Sequence, residues 1–420
     1  MSIAISYHAD ADVSDWILYA AVSMSADVVM YSPTRCRHCD RARALLKRKG
    51  ATVPQIFIDH RHVGGYDHTF RSFNSRKEMR YKLLGRSGLR VSELCLGAMT
   101  FGSPQWGTSE ADAVPIYTRF RDAGGNFVDT ANEIYGGGQS EEILGRIIAG
   151  HREEVVLASK YSLALPGGRN PNLAGNHRKS LRRSLESSLR RLGTDYLDVL
   201  WLHAWDGVTP ADEIMRALDD VVREGKVQYV GVSNMPAWVA AQCNTLADAH
   251  GWTPFVGLQI EYSLIERTAE EELLPMARAM QMAICAWSPL ASGILSGKYA
   301  NPANHEKKRL DTLTLHALDE RSQTIAALVG TIARKLGCSS AQVALNWLRA
   351  KQNVIPLIGA RTLEQLEDNL RCLDFEVDAA SVAELDALSA SPLRYPHRYL
   401  AGVQPLLHAG FHAALDTHRR

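Results

Sequence analysis

The feature that most restricts the fold of this chain is a set of eight short apolar or β-branched runs, at residues 94–98, 127–131, 155–160, 198–204, 227–234, 256–262, 283–289 and 354–360. Strands that are apolar at consecutive positions are buried on both faces, which is the signature of a parallel sheet covered by helices. The segments between them carry a helical period. Leu181, Leu185, Leu189 and Leu192, for example, recur at steps that line one helix face. Eight such units in about 300 residues predict a closed (β/α)8 TIM barrel, an α/β fold, rather than an open doubly wound sheet. The open alternative would require G-x-G-x-x-G after its first strand, so that backbone can approach a pyrophosphate. No such pattern occurs, since the glycine run at 136–138 is followed three positions later by Glu141. Residues 79–94, with Arg86-Ser87-Gly88 between two alternating segments, predict a β-hairpin that plugs the bottom of the barrel.

Charge and cysteine usage narrow the function classes. With 47 Lys and Arg against 46 Asp and Glu, the formal charge is +1, which leaves no global field to hold nucleic acid or an anionic membrane. No apolar run approaches the roughly 18 residues needed to span a bilayer. Residues 16–22 are apolar, but they follow Asp10, Asp12 and Asp15 with no Lys or Arg, the wrong flank for a secretory signal. Seven cysteines, an odd number scattered over 420 residues, argue against a disulfide framework and for a reducing, cytoplasmic setting.

In a barrel, polar groups at the C-terminal ends of different strands face one pocket. The runs deliver such a set. Asp129 ends the second and Lys160 the third; His203 lies in the fourth, Ser233 and Asn234 in the fifth, Gln259 in the sixth, Ser288 in the seventh, and Gly359 with Ala360 in the eighth. A buried Lys beside an Asp is an ion pair able to lower the pKa of a neighbouring phenol, and Tyr135 lies just past Asp129. A phenol near pKa 10 becomes a useful general acid when a cation stabilises its phenolate.

These stretches resemble the aldo-keto reductase superfamily over about residues 79–394. The matches are GAMTFG at 97–102, FVDTA at 127–131 with Tyr135-Gly136, SEEILG at 140–145, LASKY at 157–161 and LGTDYLD at 192–198 running to His203. GVSN at 231–234, QIEY at 259–262, WSPL at 287–290 with Gly293, and IGAR at 358–361 followed by Glu364-Gln365-Leu366 and Asn369 continue the series. The phrasing is similar to the aryl-alcohol-dehydrogenase-like and potassium-channel-β-like branch. The resemblance implies a tetrad: Tyr135 as proton donor to a substrate carbonyl, Lys160 lowering its pKa, Asp129 holding Lys160, and His203 orienting or polarising the carbonyl. It implies no metal, because hydride comes from a nicotinamide. It further implies that Ser233, Asn234 and Gln259 bond the carboxamide and that Trp287 stacks on the nicotinamide. Ser288, Leu290, Gly293 and Lys298 would hold the pyrophosphate, and Arg361, with Gly359, Ala360, Gln365 and Asn369, would meet the adenosine 2′-phosphate and favour NADPH over NADH. The family usually places the tyrosine five residues after the aspartate; here the interval is six, and a bulge in residues 132–134 is expected to keep Tyr135 in place.

Residues 27–78 have a different character, between an unassigned leader at 1–26 and the barrel. VMYSP at 29–33, CRHC at 36–39, TVPQIFI at 52–58 and GGYD at 64–67 resemble the strand, redox motif, cis-proline strand and glutathione-binding turn of glutaredoxins, a thioredoxin-like fold. A thiol at a helix N-terminus amid Arg35, Arg37 and Arg41 would have a lowered pKa, making Cys36 the nucleophile and Cys39 the resolving thiol. The chain passes directly from Gly50 to the proline strand, however, so the family's second strand and second helix are missing and a remnant is expected. Cys36, Cys39, His60 and His62 have the types for a zinc site, but His-x-His is tighter than the usual spacing. The seven Lys and Arg from Arg35 to Lys49 read as a solvated face.

The sequence therefore predicts an NADPH-dependent reductase of aldehydes or ketones, aromatic ones included, with a small-molecule carbonyl substrate, no nucleic-acid or membrane partner, and a tail at 395–420 without a motif. The alternatives are a nicotinamide-binding redox-sensing regulatory subunit, and a thiol-disulfide activity using glutathione at the amino-terminal segment. Oligomeric state is not legible.

Overall fold

A computed structural model describes residues 79–103, 107–167, 170–299 and 316–415, together with four short strands earlier in the chain. Contacts divide the chain into Met1–Lys77 and Glu78–Arg420. In the first unit, Ser2–Ala4 pairs antiparallel with Ala21–Ser23, and Gln55–Ile58 pairs antiparallel with Arg61–Gly65. Cys36, Cys39 and the Val53-Pro54 bond lie outside the described residues.

The second unit is a closed barrel of eight parallel strands. They are β1 (Cys95–Gly97), β2 (Phe127–Asp129), β3 (Val156–Tyr161), β4 (Leu197–Leu202), β5 (Val227–Ser233), β6 (Phe255–Glu261), β7 (Ala283–Trp287) and β8 (Val354–Ile358). Each strand pairs with the next, and β8 closes on β1 through Leu357 opposite Cys95 and Ile358 opposite Leu96. Each of the eight apolar runs coincides with one of these strands, though β3, β4 and β6 each extend one residue beyond its run, because consecutive burial leaves no solvent face to interrupt the hydrophobic pattern.

The helices used below are α1 (Glu110–Asp122), α2 (Gln139–Ile148), α3 (Arg178–Leu192), α4 (Ala211–Arg223), α5 (Ala237–His250), α6 (Leu273–Ala279), α7 (Glu320–Leu336), α8 (Ser340–Arg349), α9 (Leu363–Leu370), α10 (Ala379–Ser389) and α11 (His397–Leu407). In α3, Leu181, Leu185 and Leu192 are buried as their spacing requires, while Leu189 is only half-buried at the edge of the apolar face. Its start is capped by His177 Nδ1, which accepts from the Ser180 backbone N–H at 3.3 Å, and Gly193 in the left-handed region ends it. The carboxyl-terminal tail, which has no motif, nevertheless forms α11, with Tyr399, Leu400, Leu406 and Leu407 exposed.

Two cores result. The larger lies between strands and helices. The smaller fills the barrel interior with Cys95, Phe127, Val156, Ala158, Val199, Trp201, Val256, Ala283, Cys285 and Ile355, and it is completed by Leu84 and Val91 of the hairpin Tyr81–Leu83/Arg90–Ser92. That places the hairpin as a plug at the N-terminal ends of the strands. Lys82 Nζ donates to the Val354 carbonyl at 2.6 Å and ties the plug to the start of β8.

Trp201 sets the packing of the interior. A Cβ at Gly231 would stand 2.3 Å from Trp201 Cζ3, and one at Gly257 would stand 2.8 Å from Cη2, so glycines on the next two strands, β5 and β6, make room for one indole. Gly231→Ala should therefore destabilise the barrel by about 1–3 kcal/mol through overpacking. Combining it with Trp201→Leu should recover part of that loss in denaturant unfolding, whereas simple additivity of the two losses would show that the indole is not what the glycine accommodates.

Candidate active site

The C-terminal rim of the barrel gathers the polar residues that the strand ends supply. Asp129 is the last residue of β2 and Lys160 the penultimate residue of β3, and both are buried. Lys160 Nζ donates to Asp129 Oδ2 and, at 2.8 Å, to the Thr130 carbonyl. Burial alone would push the Lys160 ammonium down; Asp129 and then Tyr135 outweigh it and leave its pKa above the ordinary lysine value. The second carboxylate oxygen is also occupied: Gln259 Nε2 on β6 donates to Asp129 Oδ1 at 3.0 Å.

Tyr135 reaches this pair although the loop leading to it is one residue longer than the family's usual spacing. The extra length is taken up in a turn, closed by the Tyr135 N–H donating to the Asn132 carbonyl at 3.1 Å. Asn132 is buried, and its Nδ2 donates to the Leu163 carbonyl at 2.8 Å and Ser184 Oγ at 3.0 Å, which pins the turn to β3's following loop and to α3. Lys160 Nζ consequently lies 5.2 Å from the centroid of the Tyr135 ring. The His203 ring stands edge-on to the tyrosine, with centroids 6.0 Å apart and planes at 86°.

His203 follows β4, and its Nδ1 is buried without a hydrogen-bond partner. Burial, reinforced by the Lys160 charge, pushes its pKa down from 6.5 to about 3, so the ring is neutral at physiological pH. A neutral imidazole beside an ammonium can orient or polarise a carbonyl but is not a reservoir of acid.

Beneath the rim a polar bracket holds these groups. Ser140 at the start of α2 donates to the Ala98 carbonyl at 2.7 Å and meets Thr130 Oγ1 at 2.7 Å, fixing the residue whose carbonyl accepts a hydrogen bond from Lys160. Glu141 accepts from Ser159 Oγ at 2.6 Å and from Arg191 Nε at 2.7 Å, joining α2 to β3 and α3. Position at the strand ends singled out Asp129 and Lys160, but the Thr130 carbonyl carries no signal of its own, since any residue supplies a backbone oxygen.

The residues expected to hold a dinucleotide fall along an arc from β5 to α9. Ser233 is buried at the end of β5; Asn234 Nδ2 donates to the His203 carbonyl at 2.9 Å, and its Oδ1 accepts from Trp287 Nε1 at 3.2 Å. Gln259 points at Asp129, so its amide serves the ion pair. After β7 the chain turns through left-handed backbone at Ser288, Ala291, Ser292 and Gly293, with φ of 54°, 46°, 55° and 88°. A Cβ on Gly293 would come within 2.4 Å of Lys298 Nζ, so the glycine lets the ammonium fold over the loop; Leu290 is half-buried beside it. Past β8, Gly359 is exposed, Ala360 is buried with its carbonyl accepting from Thr100 at 3.0 Å, and Asn369 Nδ2 donates to the Gly359 carbonyl at 3.4 Å. Thr362 caps α9 by accepting from the Gln365 N–H at 3.3 Å. The reciprocal arm of a capping box is displaced by one residue: Gln365 Oε1 accepts from the Arg361 N–H at 2.9 Å instead of from the cap itself. Positive-φ loop, ammonium and capped helix N-terminus together fit an elongated, multiply charged phosphate ligand.

Comparison with known proteins shows the family of the chain. Residues 93–390 match the aldo/keto reductase family model. The chain is 37% identical over 326 residues to a norsolorinic acid reductase of Emericella nidulans, covering 75% of this chain and 82% of that protein. It is 39% identical over 326 residues to an uncharacterized oxidoreductase of Bacillus subtilis, covering 75% of this chain and 97% of the relative. An aryl-alcohol dehydrogenase of Pestalotiopsis microspora is 35% identical over 332 residues, 76% of this chain and 85% of its own. The barrel and its rim are those of an oxidoreductase. The chain belongs to the aldo/keto reductase family. No helix among the described residues is long and apolar enough to cross a membrane.

The neutral His203 makes a pH prediction. Its folded pKa lies below its unfolded value, so the unfolded state binds the extra proton and stability falls as pH drops from about 6.5 toward about 3. His203→Gln should flatten that part of the stability profile in urea titrations at stepped pH. An unchanged acid limb would mean that the ring takes up its proton equally in the folded and unfolded states.

Proposed function

We propose that the protein is an NADPH-dependent reductase of aldehydes and ketones, aromatic ones included, with Tyr135 as general acid. The observation that carries this reading is the buried Asp129–Lys160 pair lying under the Tyr135 ring, with His203 edge-on to the same ring. A bound reduced nicotinamide supplies the hydride to the carbonyl carbon. The chain supplies the rest. As the carbonyl oxygen gains negative charge, the Tyr135 hydroxyl gives it a proton, and the resulting phenolate is stabilised by the Lys160 ammonium. Asp129 keeps that ammonium charged and in place, and Gln259 with the Thr130 carbonyl keeps the pair from rotating. Neutral His203 holds the carbonyl in line with the phenol.

Ser233, Asn234 and Trp287 would hold the nicotinamide end, and Ser288, Leu290, Gly293 and Lys298 the pyrophosphate. Arg361 at the α9 N-terminus, with Gly359, Ala360, Gln365 and Asn369, would take a 2′-phosphate. A guanidinium next to free helix N–H groups is suited to a phosphate dianion, and this favours NADPH over NADH. The name of the Pestalotiopsis aryl-alcohol dehydrogenase supports an aromatic alcohol and its carbonyl as the substrate pair, and that of the Emericella reductase supports the reducing direction.

Tyr135→Phe should lower kcat with aromatic aldehydes by about 10²- to 10⁴-fold while leaving the NADPH dissociation constant within about twofold. Steady-state turnover beside a fluorescence titration of the cofactor checks this. Retained turnover in the variant would remove the tyrosine from the reaction, and absence of any nicotinamide binding by the unmodified protein would overturn the assignment as a whole.

A further inference from the structure

Three residues near the rim form a chain that the reaction above does not use. Ser292, in the positive-φ loop after β7, has its Oγ 2.9 Å from His316 Nδ1. The other ring nitrogen of His316, Nε2, lies 2.6 Å from Glu261 Oε1 at the end of β6. That second contact is close but not aligned as a hydrogen bond, so the Glu261 carboxyl and the ring meet by electrostatic attraction at short range. All three side chains are largely withdrawn from water; those of Ser292 and His316 are about 95% buried. A carboxylate facing Nε2 favours the tautomer with its hydrogen there, which leaves Nδ1 to accept from the Ser292 hydroxyl.

We propose that His316 is a positioning residue for the dinucleotide, locking the 288–298 loop into its phosphate-binding shape by bracing Ser292 against Glu261; this rests on the cofactor reading above. The loop needs such a brace. Ala291 and Ser292 hold left-handed backbone without being glycine, a conformation that costs free energy and persists only where surroundings enforce it. The Ser292 carbonyl is engaged by the Tyr299 hydroxyl at 3.2 Å, its N–H reaches Ser288 Oγ at 3.4 Å, and Ser296 Oγ donates to the Gly293 carbonyl at 2.7 Å. Those bonds stay within the loop. Among the described residues, His316 is what ties the Ser292 side chain to a barrel strand, and it does so one residue before α7's approach begins at Ala317, from a part of the chain far from residue 292 in sequence. Glu261 also stands opposite Trp287 in the β6–β7 register, so the brace ends beside the expected nicotinamide face. The geometry does not suit a hydrolytic Ser-His-Glu relay, because the serine is buried and the ring contacts run to fixed structural partners.

The test compares the full-length protein with His316→Ala, Ser292→Ala, the double variant and His316→Asn, whose amide overlays Nδ1. NADPH dissociation constants come from fluorescence titration and dissociation rates from stopped-flow displacement, with thermal melts alongside. The expected result is NADPH binding about tenfold weaker in each alanine variant, through faster dissociation, as for one lost hydrogen bond in a braced loop. The double variant should be no weaker than either single, and His316→Asn should recover part of the affinity. A loss confined to KM for NADPH, with kcat limited by chemistry unchanged, separates positioning from general destabilisation. Unchanged binding in His316→Ala, or additive losses in the double variant, would overturn the brace. Failure of the unmodified protein to bind either NADPH or NADH would instead overturn the cofactor reading on which it stands.

Discussion

The rim of the barrel depends on the buried Lys160–Asp129 ion pair. Moving an ammonium and a carboxylate out of water costs several kcal/mol per ion after relaxation, and their mutual attraction offsets this only when the remaining lone pairs and protons are also satisfied. At the rim of this barrel they are. Lys160 has Asp129 and the Thr130 carbonyl, and Asp129 has Lys160 and Gln259. Each partner comes from a different strand or its end, so the charge network also fixes how β2, β3 and β6 are aligned at the mouth. A barrel could close without it, using the interior layer around Trp201. What it could not do is keep a charged ammonium immobile beneath a phenol.

Seen this way, the two halves of the barrel interior have opposite chemistry. The lower half is apolar, plugged by Leu84 and Val91, and it contains Cys95 and Cys285, whose thiols burial pushes well up. They are small core residues and not nucleophiles. The upper half is a layer of charges and amides, with Asp129, Lys160, Ser233 and Gln259 all buried. The low polarity below strengthens the electrostatics above, because no water approaches Lys160 from underneath. The same environment holds His203 neutral.

The barrel was legible because its determinants are consecutive in sequence. Eight strands buried on both faces write themselves as eight apolar runs, and their last residues mark the rim. Asp129, Lys160 and His203 could be read from that position alone, and the family resemblance attached Tyr135. The extra residue before Tyr135 was harder, since spacing gives the length of a loop and not its path. Its accommodation rests on Asn132 reaching Leu163 and Ser184, contacts made across the fold. Gln259 shows the same limit: its place on β6 was evident, but a flexible amide has several acceptors within reach, and only the structure turns it to Asp129. The Cys36 and Cys39 pair has a clear motif and no described coordinates, so the thiol reading stands on sequence alone.

The rim also explains why a loop would need bracing in a fold whose strands are already fixed. Strand ends place side chains to within the precision of the barrel, but the turn after β7 places backbone, and backbone in left-handed conformations has no ladder to hold it. Gly293 adopts its φ of 88° at little cost, whereas Ala291 and Ser292 do not share that freedom. A chain that set glycine at all three positions would lose more conformational entropy on folding and would sample more loop shapes without ligand. Serine at 292 instead offers a hydroxyl, and a hydroxyl can be held from outside the loop. The His316 contact thus allows a strained turn to be both non-glycine and held in one shape, through a carboxylate on β6.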